Sequence, residues 1–296
     1  MDIMDPEYVK LREIKPVLAG YIREAQDLLR QSPVPDDSAV HDVRVLMKKC
    51  RAVMRLIASQ IDKKTFDRDY EAYRATGQLL CTWRETSVHR KILKELKKNH
   101  TKLFTSLQGN EKVEALMQKI EAPAEPSSQV AGDIIKIEDL LNKAGFRLRF
   151  LKLDNVDPKA LLSELENSYK TVVDKYLICR NNPKPANLHI FRKKTKDFLY
   201  QLWFFRPLNP VVIKSLEKKL DAMTQNLGKS NDLSQLISTL EYKYSGTANY
   251  PSMDELVIII REAQDNYLSR VWPTAYKVFC PGKRLANVLG YKILAI

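Results

Sequence analysis

Two histidines, His41 and His189, lie 148 residues apart in a chain of 296. Each stands near the start of a basic segment, HDVRVLMKKCRAVMRLI in the first half and HIFRKKTKDFLYQLWFF in the second. Three residues on, Arg44 matches Arg192; seven residues on, Lys48 matches Lys196. Steps of three and four place an imidazole and two cations on one face of a helix. Such a set can give charge-assisted hydrogen bonds to the oxygens of a phosphate or similar anion. The chemistry on offer is the holding of an anion, twice, by a repeated unit.

On a helix, His41, Arg44, Lys48, Arg51 and Arg55 share an arc of roughly 80°. Val43, Met47, Cys50, Met54 and Ile57 fall opposite, so one face docks in a core and the other looks outward. In the second segment His189, Arg192, Lys193, Lys196 and Tyr200 share a face, with Phe191, Phe198, Leu202 and Phe205 opposite. Stacked like charges cost about 0.2–0.5 kcal/mol per pair. No acid lies between Arg44 and Arg55. A polyanion with charge every few ångströms relieves that repulsion.

Both histidines follow loops carrying helix-capping residues, Asp36, Asp37 and Ser38 before His41 and Asn187 before His189. At a helix N-terminus a neutral imidazole can donate one hydrogen bond to a phosphate oxygen, beside unpaired backbone N–H groups. Arg44 and Arg192, one turn on, can then grip the same phosphate bidentately. The lysine clusters at 94–98, Lys63–Lys64 and Lys218–Lys219 read instead as solvated faces.

The elements that hold these faces are helical. Leu11, Ile14, Val17, Leu18, Tyr21, Ile22, Ala25, Leu28 and Leu29 recur at spacings of three and four. So do Leu161, Leu162, Leu165, Tyr169, Val172, Val173, Tyr176 and Leu177, with Tyr21 matching Tyr169 at the same offset of 148. Further helices are predicted over 70–80, 87–98, 111–121, 210–228, 232–243, 253–270 and 273–279. Residues 121–133 read as a loop. Periodicity returns over 134–152, although FRLRFLKL could form a short strand. The fold class is all-α, in two repeats spanning 5–152 and 153–296.

Lys and Arg number 49 against 36 Asp and Glu, a formal charge of +13 that favours a polyanionic partner. Four scattered cysteines form neither a CxxC pair nor a zinc-finger spacing and fit a reducing, cytoplasmic setting. The longest aliphatic run, Leu256 to Ile260, is too short to span a bilayer, so no membrane partner is expected. No P-loop, HExxH or GxSxG motif offers a metal, cofactor or nucleophile site.

These residues resemble the conserved histidine α-helical domain, or CHAD, family. Its repeated helix carries histidine, arginine at +3 and cations at +7, +8 and +10. His41, Arg44, Lys48, Lys49 and Arg51 match in the first copy. His189, Arg192 and Lys196 match in the second, and Tyr200 stands where a tyrosine often follows. There the +8 and +10 cations give way to Asp197 and Leu199, with Lys193 and Lys194 supplying charge nearby. Arg84-Glu85 and Asn231-Asp232 resemble a further family pair that opens a later helix. The resemblance implies two tandem four-helix bundles related by a pseudo-two-fold, with both basic helices facing a central groove or pore. It also implies non-catalytic binding of inorganic polyphosphate and targeting to polyphosphate granules.

Two other functions compete. Non-specific RNA binding fits the charge, and Tyr200 and Trp203 could stack on bases. A phosphohydrolase, or phosphate transfer through His41 and His189, is a third reading, without a recognisable motif to carry it. A metal held by the two histidines is disfavoured by the cations flanking each. Between the two stripes, the first is expected to grip a polyphosphate harder, because its cations continue to Arg55.

Overall fold

The computed structural model describes residues 9–32, 35–107, 128–153, 156–244 and 251–290. These contain eleven α-helices and no strand. In chain order they are α1 (Ile14–Arg30), α2 (Asp37–Leu56), α3 (Lys63–Leu79), α4 (Cys81–Asn99), α5 (Thr101–Ser106) and α6 (Ser128–Arg149). There follow α7 (Pro158–Asn181), α8 (Pro185–Leu202), α9 (Pro210–Tyr244), α10 (Pro251–Phe279) and α11 (Leu285–Leu289).

Local chemistry sets several starts. Asp36 caps α2 by accepting from the Ala39 N–H at 2.7 Å, and Asp62 caps α3 through the Thr65 N–H at 2.8 Å. Asp157 accepts from Lys159 N–H at 2.9 Å, ahead of Pro158, whose missing donor costs nothing in a first turn. Apolar stripes then choose the packing. Ile14, Leu18, Ile22, Ala25 and Leu29 are buried along α1, as are Val43, Met47, Cys50 and Met54 along α2.

Helices α1, α2, α3 and α6 pack in a ring, as do α7, α8, α9 and α10. Contacts of α2 with α7 and α8 join the two sets, and one apolar core runs through both. A second, smaller core forms where α4 and α5 meet the far stretches of α9 and α10. The core around α7 and α8 is aromatic: Phe279 lies 5.9 Å from Tyr169, 6.5 Å from Tyr176 and 6.0 Å from Phe191, centroid to centroid. Phe279→Ala is therefore expected to lower stability by about 3–5 kcal/mol in chemical denaturation, because the rings around it cannot collapse into the void.

Several element boundaries differ from expectation. Residues 210–228 and 232–243 form one continuous helix, α9. Gly228 does not end it; the Arg192 guanidinium lies against that bare backbone, with Nη2 3.0 Å from where a Cβ would sit. Residues 253–279 are likewise one helix through Pro273, because Val271 and Ala275 on either side are held in the core. FRLRFLKL is helical to Arg149 rather than a strand, since Ala144 and Leu148 continue the buried stripe of α6. The loop expected over 121–133 becomes helix from Ser128. Its earlier part, and the helix expected over 111–121, lie outside the described residues. Arg84-Glu85 falls inside α4, and Asn231-Asp232 inside α9, so neither pair opens a helix.

Candidate anion-binding site

The site is built on α2 and α8, which pack against each other. Buried Met47, Cys50 and Met54 fix the roll of α2; buried Phe191, Phe198 and Leu202 fix that of α8. Gln201 pins the pair by donating from Nε2 to the Ala52 carbonyl at 3.0 Å. Some side chains of the two polar faces then come near one another. Lys48 acts electrostatically on His189, Arg51 and Arg55 act on Lys193, and Arg55 pairs with Asp197 through Nη1 at 3.0 Å. These influences follow the same order along both helices.

The crowding shows in the titration behaviour. Burial, then Arg51, Arg55 and Lys194, push the Lys193 pKa below its ordinary value, with Asp197 opposing. Burial foremost, with Arg55 and Arg44 adding to it, lowers that of Arg51 against the pull of Tyr70 and Asp197. Asp197 is buried deeply enough that its pKa rises despite Arg55, Lys194, Arg51 and Lys193 around it. Its Oδ2 has no hydrogen-bond partner among the described residues. Arg55 also stacks on Tyr70, 4.8 Å from the ring centroid, and donates to the Tyr70 hydroxyl.

The other candidates are placed differently. Arg44 donates from Nη1 to the Gly77 carbonyl at 2.6 Å, satisfying one of the last open carbonyls of α3. Arg192 donates from Nε to the Thr224 carbonyl of α9 at 3.1 Å, reaching it where Gly228 leaves the backbone bare. Each arginine thus ties its own helix to the next. The bidentate grip expected of them is reduced, because one edge of each guanidinium is already spent on the protein. Lys196 pairs with Asp221 at 2.8 Å and lies 5.6 Å over the Tyr200 ring. Lys49 lies 5.1 Å over Tyr21. Tyr200 is half-buried, its hydroxyl pKa pushed up to about 12 by burial above all.

His41 sits one turn into α2 and is half-buried. His189 is exposed, one turn into α8, with Nδ1 3.2 Å from Asn231 Oδ1. An amide oxygen only accepts, so Nδ1 carries the hydrogen and the neutral ring keeps Nε2 as an acceptor. The expected donation from a neutral His189 to phosphate changes with this contact: in that tautomer Nε2 donates only from the imidazolium. Although the residue is exposed overall, desolvation where its ring lies against the protein, followed by Arg192, Lys193 and Lys48, holds the His189 pKa below its ordinary value, with the Asn231 contact opposing. Asn187 is not the cap of α8 either. Lys184 occupies that position without a side-chain cap, and Asn187 donates back to the Asn182 carbonyl at 2.8 Å. Pro185 at the first helical position displaces the start.

Asp197, Asn231 and Tyr70 are the site residues that spacing alone did not single out as contacts. Asp197 had a signal, as the acid at the position where the matching helix has Lys49. No group of three metal-ligating side chains occurs among the described residues. No helix among them is long and apolar enough to cross a membrane.

No curated protein sequence matches the chain. A family model for the CHAD domain matches residues 18–241, well over half the chain and both histidine helices. With the two cationic stripes lying along one helix interface inside that span, the chain belongs to the CHAD domain family.

Proposed function

We propose that this protein binds inorganic polyphosphate along the α2–α8 interface, without cleaving or transferring it, and through that binding associates with polyphosphate granules. One observation carries the reading: Lys48 beside His189, and Arg51 and Arg55 beside Lys193, crowd like charges from two helices along one line. Asp197 is the carboxylate that acts on Arg51, Arg55 and Lys193, and it cannot offset them all. A linear phosphate polymer supplies the missing charge at matching intervals. Arg44 and Arg192 act mainly as ties that hold the stripes in register.

We further propose that the chain is a duplicated four-helix module with pseudo-two-fold symmetry. The two rings of helices support this, and so do the matching ties, in which the arginine three residues after each histidine bonds a backbone carbonyl of the next helix.

Competition between long-chain polyphosphate and RNA of equal charge tests the choice of polyanion. Polyphosphate is expected to displace RNA at a large excess of RNA. Displacement at charge equivalence in both directions would reduce the site to a non-specific one.

His189 makes binding depend on pH. Burial and the neighbouring cations hold its pKa in the free protein below the ordinary histidine value. A phosphate beside Nε2 favours the imidazolium and raises that pKa, so binding takes up a proton. Affinity is then expected to increase as pH falls from about 8 to about 6 and to level off below the free-state pKa. Calorimetric titration in buffers of different ionisation enthalpy would read the proton uptake directly. His189→Gln, which keeps a hydrogen-bond donor but does not titrate, should flatten the profile.

A further inference from the structure

A recess of about 400 Å3 opens beside the stripes, where α1, α8 and α9 meet. Three half-buried aromatic rings line it: Tyr21 from α1, Tyr200 at the end of α8 and Trp203 just beyond. Tyr169, which matches Tyr21 at the repeat offset, is instead buried and hydrogen-bonded to the Val278 carbonyl at 2.9 Å. Tyr21 therefore stays partly exposed where its counterpart is core.

The charges around the recess decide which ligand fits. Each ring already carries a protein cation: Lys49 over Tyr21 at 5.1 Å, Lys196 over Tyr200 at 5.6 Å and Lys10 over Trp203 at 4.0 Å. The two acids of the lining are engaged as well. Glu217 is held by the Arg206 guanidinium, Nη2 to Oε2 at 2.7 Å, and Asp221 by Lys196 at 2.8 Å. A cationic guest, the usual occupant of an aromatic cage, would be repelled by the lysine beside each ring and would find both carboxylates already paired. Lys214 and Lys218 stand exposed on the α9 wall, one turn apart. The recess suits a flat π-system with an anionic tail.

We propose that this recess binds a nucleoside diphosphate, with the base stacked among Tyr21, Tyr200 and Trp203 and the phosphates directed to Lys214 and Lys218. The size is within the range of small-molecule sites, and stacking on aromatic side chains tolerates any base. The site is separate from the polyphosphate stripe: Lys49 and Lys196 turn away from the line of Lys48, Arg51 and Lys193 to lie over its rings.

The test is titration of the full chain with ADP and with inorganic pyrophosphate, read by calorimetry and by tryptophan emission. ADP is expected to bind at least about fivefold more tightly than pyrophosphate, the lower end of what one stacked base contributes. It should quench emission, whereas pyrophosphate should not. Trp203→Phe should keep part of that preference and Trp203→Leu should abolish it. Equal affinity for the two ligands overturns the proposal, as does an ADP preference that survives Trp203→Leu in a folded protein. If Trp203→Leu does not fold, emission quenching of the unaltered chain still decides, since a phosphate-only contact leaves it unchanged. A long-chain polyphosphate titration alongside separates the two readings: loss of polyphosphate binding with ADP preference intact sinks the stripe and not the recess.

Discussion

Replacing Arg51 and Lys193 together by glutamine is expected to weaken binding of long-chain polyphosphate by about a hundredfold or more. Each contributes a charge-assisted hydrogen bond, about 1.5–3 kcal/mol against a phosphate oxygen. The two residues come from different helices yet press on each other electrostatically in the free protein. Removing both charges therefore relieves strain between the stripes, and the unliganded protein should be at least as stable as before. Equilibrium binding by fluorescence anisotropy, with a denaturant melt of the same sample, reads both effects. A loss of affinity accompanied by loss of structure would point instead to a packing role. The same pair of substitutions at Arg44 and Arg192 is a poorer probe, because those side chains bond the Gly77 and Thr224 carbonyls and their loss loosens α3 and α9.

Asp197→Asn should move affinity and stability in opposite directions. The carboxylate lies 3.0 Å from Arg55 Nη1, and both side chains are largely removed from water. Breaking such a pair from one side costs about 3–5 kcal/mol, because the arginine is left buried without its counterion. The same change withdraws the carboxylate that competes with a phosphate for Arg51, Arg55 and Lys193. Polyphosphate affinity is expected to rise about tenfold, and bound polyphosphate should restore much of the lost stability. Thermal melts with and without polyphosphate measure the two together. A variant that is both less stable and weaker in binding would show that Asp197 serves only to hold α8 against α2.

The helical framework was legible because apolar residues at spacings of three and four must be buried. Val43, Met47, Cys50 and Met54 on one helix and Phe191, Phe198 and Leu202 on the other lie in the core, opposite the cations. What the sequence could not carry were effects of one helix on another. The break expected between 228 and 232 does not occur, and Gly228 instead lets Arg192 lie against the helix. His189 reads as a neutral donor until Asn231, 42 residues on, takes its Nδ1 hydrogen. The run from Arg44 to Arg55 reads as free of acid, and along the chain it is. The acid arrives from the other half, as Asp197. That residue also bears on the expected advantage of the first stripe, since Arg55 at its end is paired with it.

The proposed polyphosphate binding rests on the joint action of Lys48, Arg51, Arg55 and Lys193 on one polymer. Binding of long-chain polyphosphate measured at about 50 mM and about 200 mM salt tests it most directly. Four neutralised phosphates predict a fall in affinity of about fiftyfold across that range. An affinity indifferent to salt, or no binding at the lower concentration, would contradict it.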